Sequence, residues 1–248
     1  MKDASTVPSP VPASTSRGIP GVYARSRGFS QALSPFIAMV FGAGWVFGAI
    51  LSPGFLQGSH AAILLMLIAL GLFITWKRAV IILVRHEEGA RGEEQVARVL
   101  DALPESWRVF HSVELASGEM DHVLVSDHQV FTIETVHWRG QVRVVNGKLM
   151  HGENFYPGYE LETLHTQAVT NAEDLGLPES SVTPMVCIVG GRYGDYAGVK
   201  NGVWLGEIQD IGFFLCSSRE GHLPEAKRAD LLRMLEEKTI SAKKEKTK

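Results

Sequence analysis

Two long apolar runs near the N-terminus differ from everything that follows them in the chain. Phe36–Leu56 is a run of 21 uncharged residues, and as a helix it would span about 32 Å, close to the thickness of a bilayer's hydrocarbon core. Ala61–Trp76 is also uncharged and ends at Lys77-Arg78, whose charged ends can extend to a membrane surface while the helix continues. The two runs predict a transmembrane helical hairpin over 35–84. A buried helical hairpin in a soluble protein is the alternative.

The flanking charges predict how that hairpin is oriented. Arg17, Arg25 and Arg27 precede the first run and Lys77-Arg78 ends the second, while the polar connection between the runs has no Lys or Arg. Because basic residues favour the cytoplasmic side, we expect both termini and the domain that follows to lie in the cytoplasm, at a bacterial inner membrane.

Beyond residue 84 the spacing of apolar residues alternates between the helical period and the two-residue period of strands. Gly89–Leu103 and Tyr159–Leu175 have helical spacing, and short β-branched runs lie between them. Val182–Val189 is apolar on both faces, which is typical of a strand inside a sheet. This order predicts an α/β domain with a mixed central sheet.

Composition divides the chain into four parts. Residues 1–34 are rich in Ser, Pro, Thr and Ala and are predicted to be a disordered basic tail. The helical hairpin follows over 35–84 and the α/β domain over 85–240, and 241–248 is a short basic tail. The overall net charge is −3, but the residues after 84 hold 18 Lys/Arg against 26 Asp/Glu, a net charge of −8. An acidic domain needs a local basic patch or a bridging metal to bind nucleic acid.

The stretch Met120–Gly140 has the pattern of a β-hairpin that carries two acids. Val123-Leu124-Val125 and Val130–Ile133 are strand-like runs on either side of a polar turn. A turn centred on Asp127-His128 places Asp121 opposite Glu134 on one largely apolar face. Two carboxylates held that close repel each other and lose solvation, and a hard divalent cation such as Mg²⁺ would relieve both effects. A solvent-facing hairpin end with two unrelated acids is the alternative.

Four segments between residues 88 and 189 resemble the nuclease-related domain (NERD), a branch of the PD-(D/E)XK nucleases. Gly92–Val96 resembles the family's G-E-x-x-V, and Met120–His122 resembles its I-D-H. Val130–Glu134 followed by Trp138–Gly140 resembles G-V-F-V-I-E-x-K-x-W-x-G, and Gln167 lies where the family has a helix glutamine.

This resemblance implies an αβββαβ core and phosphodiester hydrolysis that depends on Mg²⁺, or on Mn²⁺. It implies that Asp121 and Glu134 hold the metal, that Glu93 completes the acidic cluster, and that Gln167 orients a water or a phosphate. The helical spacing alone places Glu93 at the edge of a buried face, so a solvated flank residue is the alternative there.

One departure from the family pattern bears on the chemistry. The family has a lysine two residues after the second acid, to activate the attacking water and to offset charge on the phosphate, whereas this chain has Val136. Losing one preorganised electrostatic contact typically lowers a rate by about 10²–10³-fold. Rescue would require Arg139, Arg143 or Lys148 to reach in from a neighbouring position. His122 and His137 project to the opposite face and are expected to be packed or hydrogen-bonded rather than metal ligands.

Two functions follow from these observations. The first is a membrane-anchored NERD-type nuclease whose activity is impaired or lost. The second is a catalytically inactive module, tethered to the membrane, that binds a protein or a nucleic acid. Val136 and the acidic charge of the domain favour the second, whereas the retained acids and Gln167 favour the first.

Overall fold

The computed structural model describes residues 15–50, 59–218 and 223–245. The chain divides into two compact units, one of Val22–Ala90 and the other of the residues up to Gly21 together with Arg91–Lys248. The helices are α1 (Val22–Ile50), α2 (Ser59–Leu100), α3 (Leu161–Asp174), α4 (Ile208–Ser217) and α5 (Glu225–Glu245), with a 3₁₀ turn at Glu179–Ser181.

The smaller unit consists of α1 and the N-terminal part of α2. The rings of Phe36 and Trp76 lie 5.9 Å apart, and Arg25 Nε donates to Glu87 Oε2 at 2.8 Å. Sequence composition placed residues up to 34 in a disordered tail, but α1 already begins at Val22. The reason is that the helix-blocking prolines of the tail end at Pro20.

By length and composition, the helical segments Val22–Gly48 and Ala62–Leu100 are long and apolar enough to cross a membrane. Large side chains on α1 face outward; Phe41 is 76% exposed and Trp45 is 79% exposed. Exposed aromatic residues on an apolar helix suit a lipid environment better than water. The prediction of two apolar helices is confirmed in this sense.

The larger unit is built on a mixed sheet of nine strands within the described residues. The strands are β1 (Thr15–Arg17), β2 (Arg108–Leu115), β3 (Gly118–Val125), β4 (Val130–Val145), β5 (Lys148–His151), β6 (Asn154–Glu160), β7 (Val182–Tyr193), β8 (Gly198–Lys200) and β9 (Val203–Glu207). They follow the order β1-β2-β3-β4-β7-β9-β8, and β5 and β6 extend from β4. The strands β2, β3 and β4 are antiparallel, whereas β4, β7 and β9 are parallel. The predicted α/β class with a mixed sheet is confirmed.

Helices cover both faces of this sheet. Val96 and Leu100 of α2 pack with Phe131 and Ile133 of β4 on one face, where α4 also packs. Ala168 of α3 packs on the other face, with residues of α5. The element order α2, β2-β3-β4, α3 and β7 is the predicted αβββαβ order, with β5 and β6 between β4 and α3.

β1 and β6 are among the strands that appear where the sequence suggested none. β1 lies in the predicted tail and pairs in parallel with β2, Thr15 opposite Arg108. β6 contains Pro157 and Gly158, which remove a backbone donor and weaken strand propensity, and it pairs only with β5. Because β6 continues to Glu160, α3 begins two residues later than the helix that was predicted from Tyr159.

Candidate active site

The hairpin of β3 and β4 has the predicted register. His122 lies opposite Ile133, and Val125 opposite Val130. The turn is closed by Ser126, whose amide donates to Gln129 O at 3.0 Å and whose Oγ accepts the His128 amide at 3.1 Å. This local network fixes the register because it ties the two strand ends together over four residues.

Asp121 and Glu134 lie just beyond the last paired residues of this hairpin. The Thr135 amide donates to Asp121 Oδ2 at 2.7 Å. The carboxylate of Asp121 thus accepts a hydrogen bond from the backbone of β4. Burial raises the pKa of Asp121 to about 6, although the Thr135 amide opposes that rise. Burial and then the charge of Asp121 raise the pKa of Glu134 to about 7. The hairpin therefore brings the two acids together at a cost in electrostatic free energy.

Gln167 shares a small pocket with Glu134. Thr132, Glu134, Gln167 and Asn171 supply its polar lining, and Leu164 is among its apolar residues. Within the described parts of the chain, Gln167 Oε1 and Asn171 Nδ2 are buried and have no hydrogen-bond partner. Unpaired buried polar atoms are costly, so this pocket has polar groups that a bound water or ligand would satisfy.

Glu93 lies apart from the acid pair. It is 7% exposed, and its Oε2 accepts the Gly21 amide at 2.8 Å. The preceding Gly92 packs against Thr135 and His137, so this turn of α2 lies on the sheet face opposite Glu134. The alternative of a solvated flank residue is wrong, because the carboxylate is buried. Among the residues that the structure describes, no group of three His, Cys, Asp or Glu side chains is placed to hold a metal ion. A role for Glu93 in the site stays a prediction.

Val136 fills the lysine position with an apolar side chain. It is 2% exposed and packs in a cluster with Leu149, Leu161 and Leu164. Lys148 Nζ lies 4.8 Å from the centre of the Phe155 ring, and the side chains of Arg139 and Arg143 are exposed. The position two residues after Glu134 is therefore buried and apolar where the family pattern has an ammonium group.

Residues 88–189, from α2 to β7, match the family model of the nuclease-related domain. Residues 88–189 are therefore similar to the nuclease-related domain (NERD). Comparisons with curated proteins and with solved structures gave no match. The matched region of this NERD domain contains all four predicted site residues and the β3–β4 hairpin.

Tyr159 is a residue of the NERD domain that sequence reasoning missed. It packs at the edge of the Val136 cluster, and its ring meets that of Trp138 edge to face with 5.2 Å between centroids. Burial, then the charges of Glu134 and Asp121, raise the pKa of Tyr159 above its usual range. The hydroxyl therefore stays protonated near both acids and is a neutral hydrogen-bond donor. No spacing signal marks it, since its position depends on the pairing of β6 with β5.

The histidines beside the acids have packing or hydrogen-bond contacts of their own. His122 Nδ1 lies 2.7 Å from His111 Nδ1, so one ring donates and the other accepts. Burial lowers the pKa of both rings, and the second cause for His122 is the neighbouring charge of His111. His137 packs against Gly92. These contacts agree with packed or hydrogen-bonded histidines.

The acid pair has the chemistry of a site for a hard divalent cation. Burial raises the pKa of both acids, and the charge of Asp121 raises that of Glu134 further. A cation between the two carboxylates would offset both effects. Mg²⁺ is commonly held by one or two carboxylates together with waters and a substrate phosphate, so two protein ligands suffice. Asp121 and Glu134 fit such an ion.

Proposed function

We propose that this chain is a membrane-anchored NERD-type hydrolase of nucleic-acid phosphodiesters, dependent on Mg²⁺ or Mn²⁺, with impaired or lost activity. The observation that carries the proposal is the half-buried pair of Asp121 and Glu134, whose raised pKa values favour a bound cation. The family match supports a nuclease-related function for the same residues.

Each side chain of the site has its own role in the proposed reaction. When bound, the cation would supply Lewis-acid stabilisation of charge on the phosphate. Asp121 and Glu134 would hold it as carboxylates, and Gln167 would orient a water or a phosphate oxygen in the pocket that it shares with Glu134. Tyr159 would donate a hydrogen bond near the same acids. Val136 can neither donate a hydrogen bond nor offset charge, and we therefore expect slow turnover, about 10²–10³-fold below a site with the lysine.

The two long helices support a place for this site at a membrane. Their length and apolar composition are those of spanning helices, and basic residues flank the pair on both outer sides. We propose that both termini and the NERD domain lie on the cytoplasmic side of a bacterial inner membrane.

The second candidate function is a catalytically inactive, membrane-tethered module that binds a nucleic acid or a protein. The burial of Val136 among leucines favours it, because the position is built into the core. The retained acid pair with its raised pKa values favours the hydrolase instead, since two half-buried carboxylates this close are costly to keep in a module that binds no cation.

Cleavage by the full chain in detergent micelles distinguishes the two functions. Single- and double-stranded DNA and RNA are incubated with Mg²⁺ or Mn²⁺, and metal affinity is measured by calorimetry. We expect slow cleavage by the wild-type chain that Asp121→Asn abolishes. Asp127→Asn is the matched control, since Asp127 lies at the turn of the same hairpin and pairs with Arg228 at 3.2 Å.

Each outcome decides between the candidates. Cleavage that disappears in Asp121→Asn and persists in Asp127→Asn excludes the inactive module. Metal binding without cleavage of any substrate supports the inactive module. A chain that neither binds the metal nor cleaves contradicts the proposed metal site.

A further inference from the structure

One face of α2 is a stripe of exposed apolar side chains that a lysine interrupts. Large apolar residues on this face recur every three or four positions, and each is more than half exposed: Ile63, Met66, Leu70, Phe73, Ile81 and Val84. Lys77 is exposed, four residues after Phe73 and four before Ile81, so it lies on the same face. Arg78 is exposed beside it. We call this face, from Ile63 to Val84, the apolar stripe.

The apolar stripe has the length of a membrane-spanning segment. As a helix, Ile63 to Val84 covers about 32 Å, which matches the hydrocarbon core of a bilayer. Lys77 and Arg78 then lie about 10 Å from the end at Val84. Charged groups at such a depth are costly unless an anion pairs with them.

The chain offers these two cations no acid of its own in the helical hairpin. No Asp or Glu occurs between Asp3 and Glu87 in the sequence. Glu87 lies ten residues beyond Lys77 on the same helix, about 15 Å away, and pairs with Arg25 at 2.8 Å. The Nζ of Lys77 lies 5.1 Å from the centre of the Phe73 ring, a contact that stabilises the ammonium without neutralising its charge.

A second copy of the chain would not supply the missing anion either. Its helical hairpin has the same sequence and therefore the same lack of acids. Two parallel copies of α2 that packed through the apolar stripe would also place Lys77 against Lys77, and like charges in an apolar contact repel strongly. The charge of this face is therefore complementary to an anion from the lipid.

We propose that Lys77 and Arg78 bind the phosphate of an anionic phospholipid on the apolar stripe of α2. The inference rests on the membrane placement in the proposed function and names the lipid that the helices would select. The guanidinium of Arg78 can hold two phosphate oxygens, and the ammonium of Lys77 adds a second cation. A zwitterionic headgroup brings its own cation, so its net attraction to the pair is weaker.

Trp76 is a built-in reporter of the lipid at this position. It precedes Lys77 and is 57% exposed, so brominated acyl chains that contact the stripe near Lys77 should quench its fluorescence. Trp45 of α1 is also exposed, and Trp45→Phe removes its signal. This Trp45→Phe protein is the parent for the measurements.

Quenching in reconstituted vesicles tests the inference. The full chain is placed in phosphatidylcholine vesicles in which a small, equal fraction of the lipid is either brominated phosphatidylglycerol or brominated phosphatidylcholine. We expect phosphatidylglycerol to be enriched beside Trp76 by about 5- to 30-fold, since each cation near a headgroup contributes about 1 kcal/mol. Inorganic phosphate in place of chloride at equal ionic strength should leave the quenching unchanged, because the site takes a lipid-borne phosphate.

The variant Lys77→Gln/Arg78→Gln should lose this enrichment. Its quenching by brominated phosphatidylcholine should equal that of the parent, which shows that α2 still lies in the bilayer. The matched control is Lys227→Gln/Arg192→Gln, which removes the same two charges from exposed positions on the domain and should keep the enrichment.

The outcomes separate this inference from the proposed function. Equal quenching by the two lipids, or an enrichment that survives in Lys77→Gln/Arg78→Gln, overturns the inference and leaves the membrane placement intact. Trp76 fluorescence that neither brominated lipid quenches overturns the membrane placement and the inference together. Asp121→Asn should lose cleavage while it keeps the enrichment, so failure of the hydrolase leaves the lipid site standing.

Discussion

The two carboxylates of the NERD domain make the stability of the protein depend on pH. Unfolded, Asp and Glu have pKa values near about 4, whereas folding raises the pKa of Asp121 to about 6 and that of Glu134 to about 7. Between these limits the folded state binds more protons than the unfolded state. The free energy of unfolding from this pair therefore falls as pH rises from about 4 to about 7.

We predict that Glu134→Gln removes most of this dependence. From pH 5 to pH 8, the free energy of unfolding of the variant should rise relative to that of the wild type by on the order of 1–3 kcal/mol, because the glutamine has no charge to bury. Thermal unfolding of the full chain at the two pH values measures the difference. Mg²⁺ at pH 8 should raise the Tm of the wild type and of the control Asp127→Asn, but not that of Glu134→Gln. Equal pH dependence in Glu134→Gln and wild type would contradict the shared electrostatic cost.

A second prediction concerns the missing lysine. Val136→Lys should raise cleavage by up to about 10²-fold, because an ammonium beside Glu134 can offset charge on the phosphate. It should also lower stability by about 1–3 kcal/mol, since the longer side chain enters a packed apolar cluster.

The control for that variant is Val136→Met, which lengthens the side chain without adding charge. Cleavage rates of single- and double-stranded DNA at saturating Mg²⁺ compare the three proteins. If the lysine variant binds the metal normally and stays as slow as the methionine variant, the loss of the lysine does not explain low activity.

Sequence reasoning found the acid pair because a hairpin is local. The alternation of Val123, Val125 and Thr132 and the turn at Ser126 lie within a few residues, and together they determine the register. Glu93 could not be placed in the same way. Its hydrogen-bond partner, Gly21, is 72 residues away, and that contact depends on the N-terminal segment folding back onto the domain.

At the scale of elements, composition gave no indication that the segment from Thr15 to Gly21 pairs with the sheet. It adds β1 to the edge of β2, Ser112 Oγ donates to Ile19 O at 3.3 Å, and the Gly21 amide binds Glu93. Serine and proline content predicted disorder, but backbone pairing to a sheet edge requires little from the side chains. The same reasoning explains β6, whose strand is defined by its pairing with β5 rather than by β-branched residues.

Gly18 is the position at which this segment can be tested. Its φ is +89°, and a Cβ there would lie 2.2 Å from His111 O, so Gly18→Ala should release the segment from the domain. We expect trypsin to cut after Arg17 at least about fivefold faster in this variant, because local opening becomes more frequent. Gly176→Ala is the control, since Gly176 also has positive φ, +63°, but faces open space. Equal cleavage rates in the two variants would show that Gly18 does not hold the segment.

At the scale of the whole molecule, charge and hydropathy are divided along the chain in a way that suits a membrane protein. The basic residues before 85 flank two apolar runs, and the acidic excess lies entirely in residues 85–248. An acidic domain is repelled by the anionic lipids of a cytoplasmic leaflet. Its retention at that surface would therefore depend on the helices rather than on the domain's own charge.

The two cysteines allow the proposed orientation to be tested with a single label. Cys216 is exposed, whereas Cys187 is buried and its pKa is raised to about 12, first by burial and then by the charge of Asp210. A maleimide should therefore modify only Cys216 in the folded chain. In intact bacterial cells a membrane-permeant maleimide should label the protein and an impermeant one should not, while both should label it after lysis. Cys216→Ser should abolish labelling in every case, and impermeant labelling of intact cells would place the domain outside the cytoplasm.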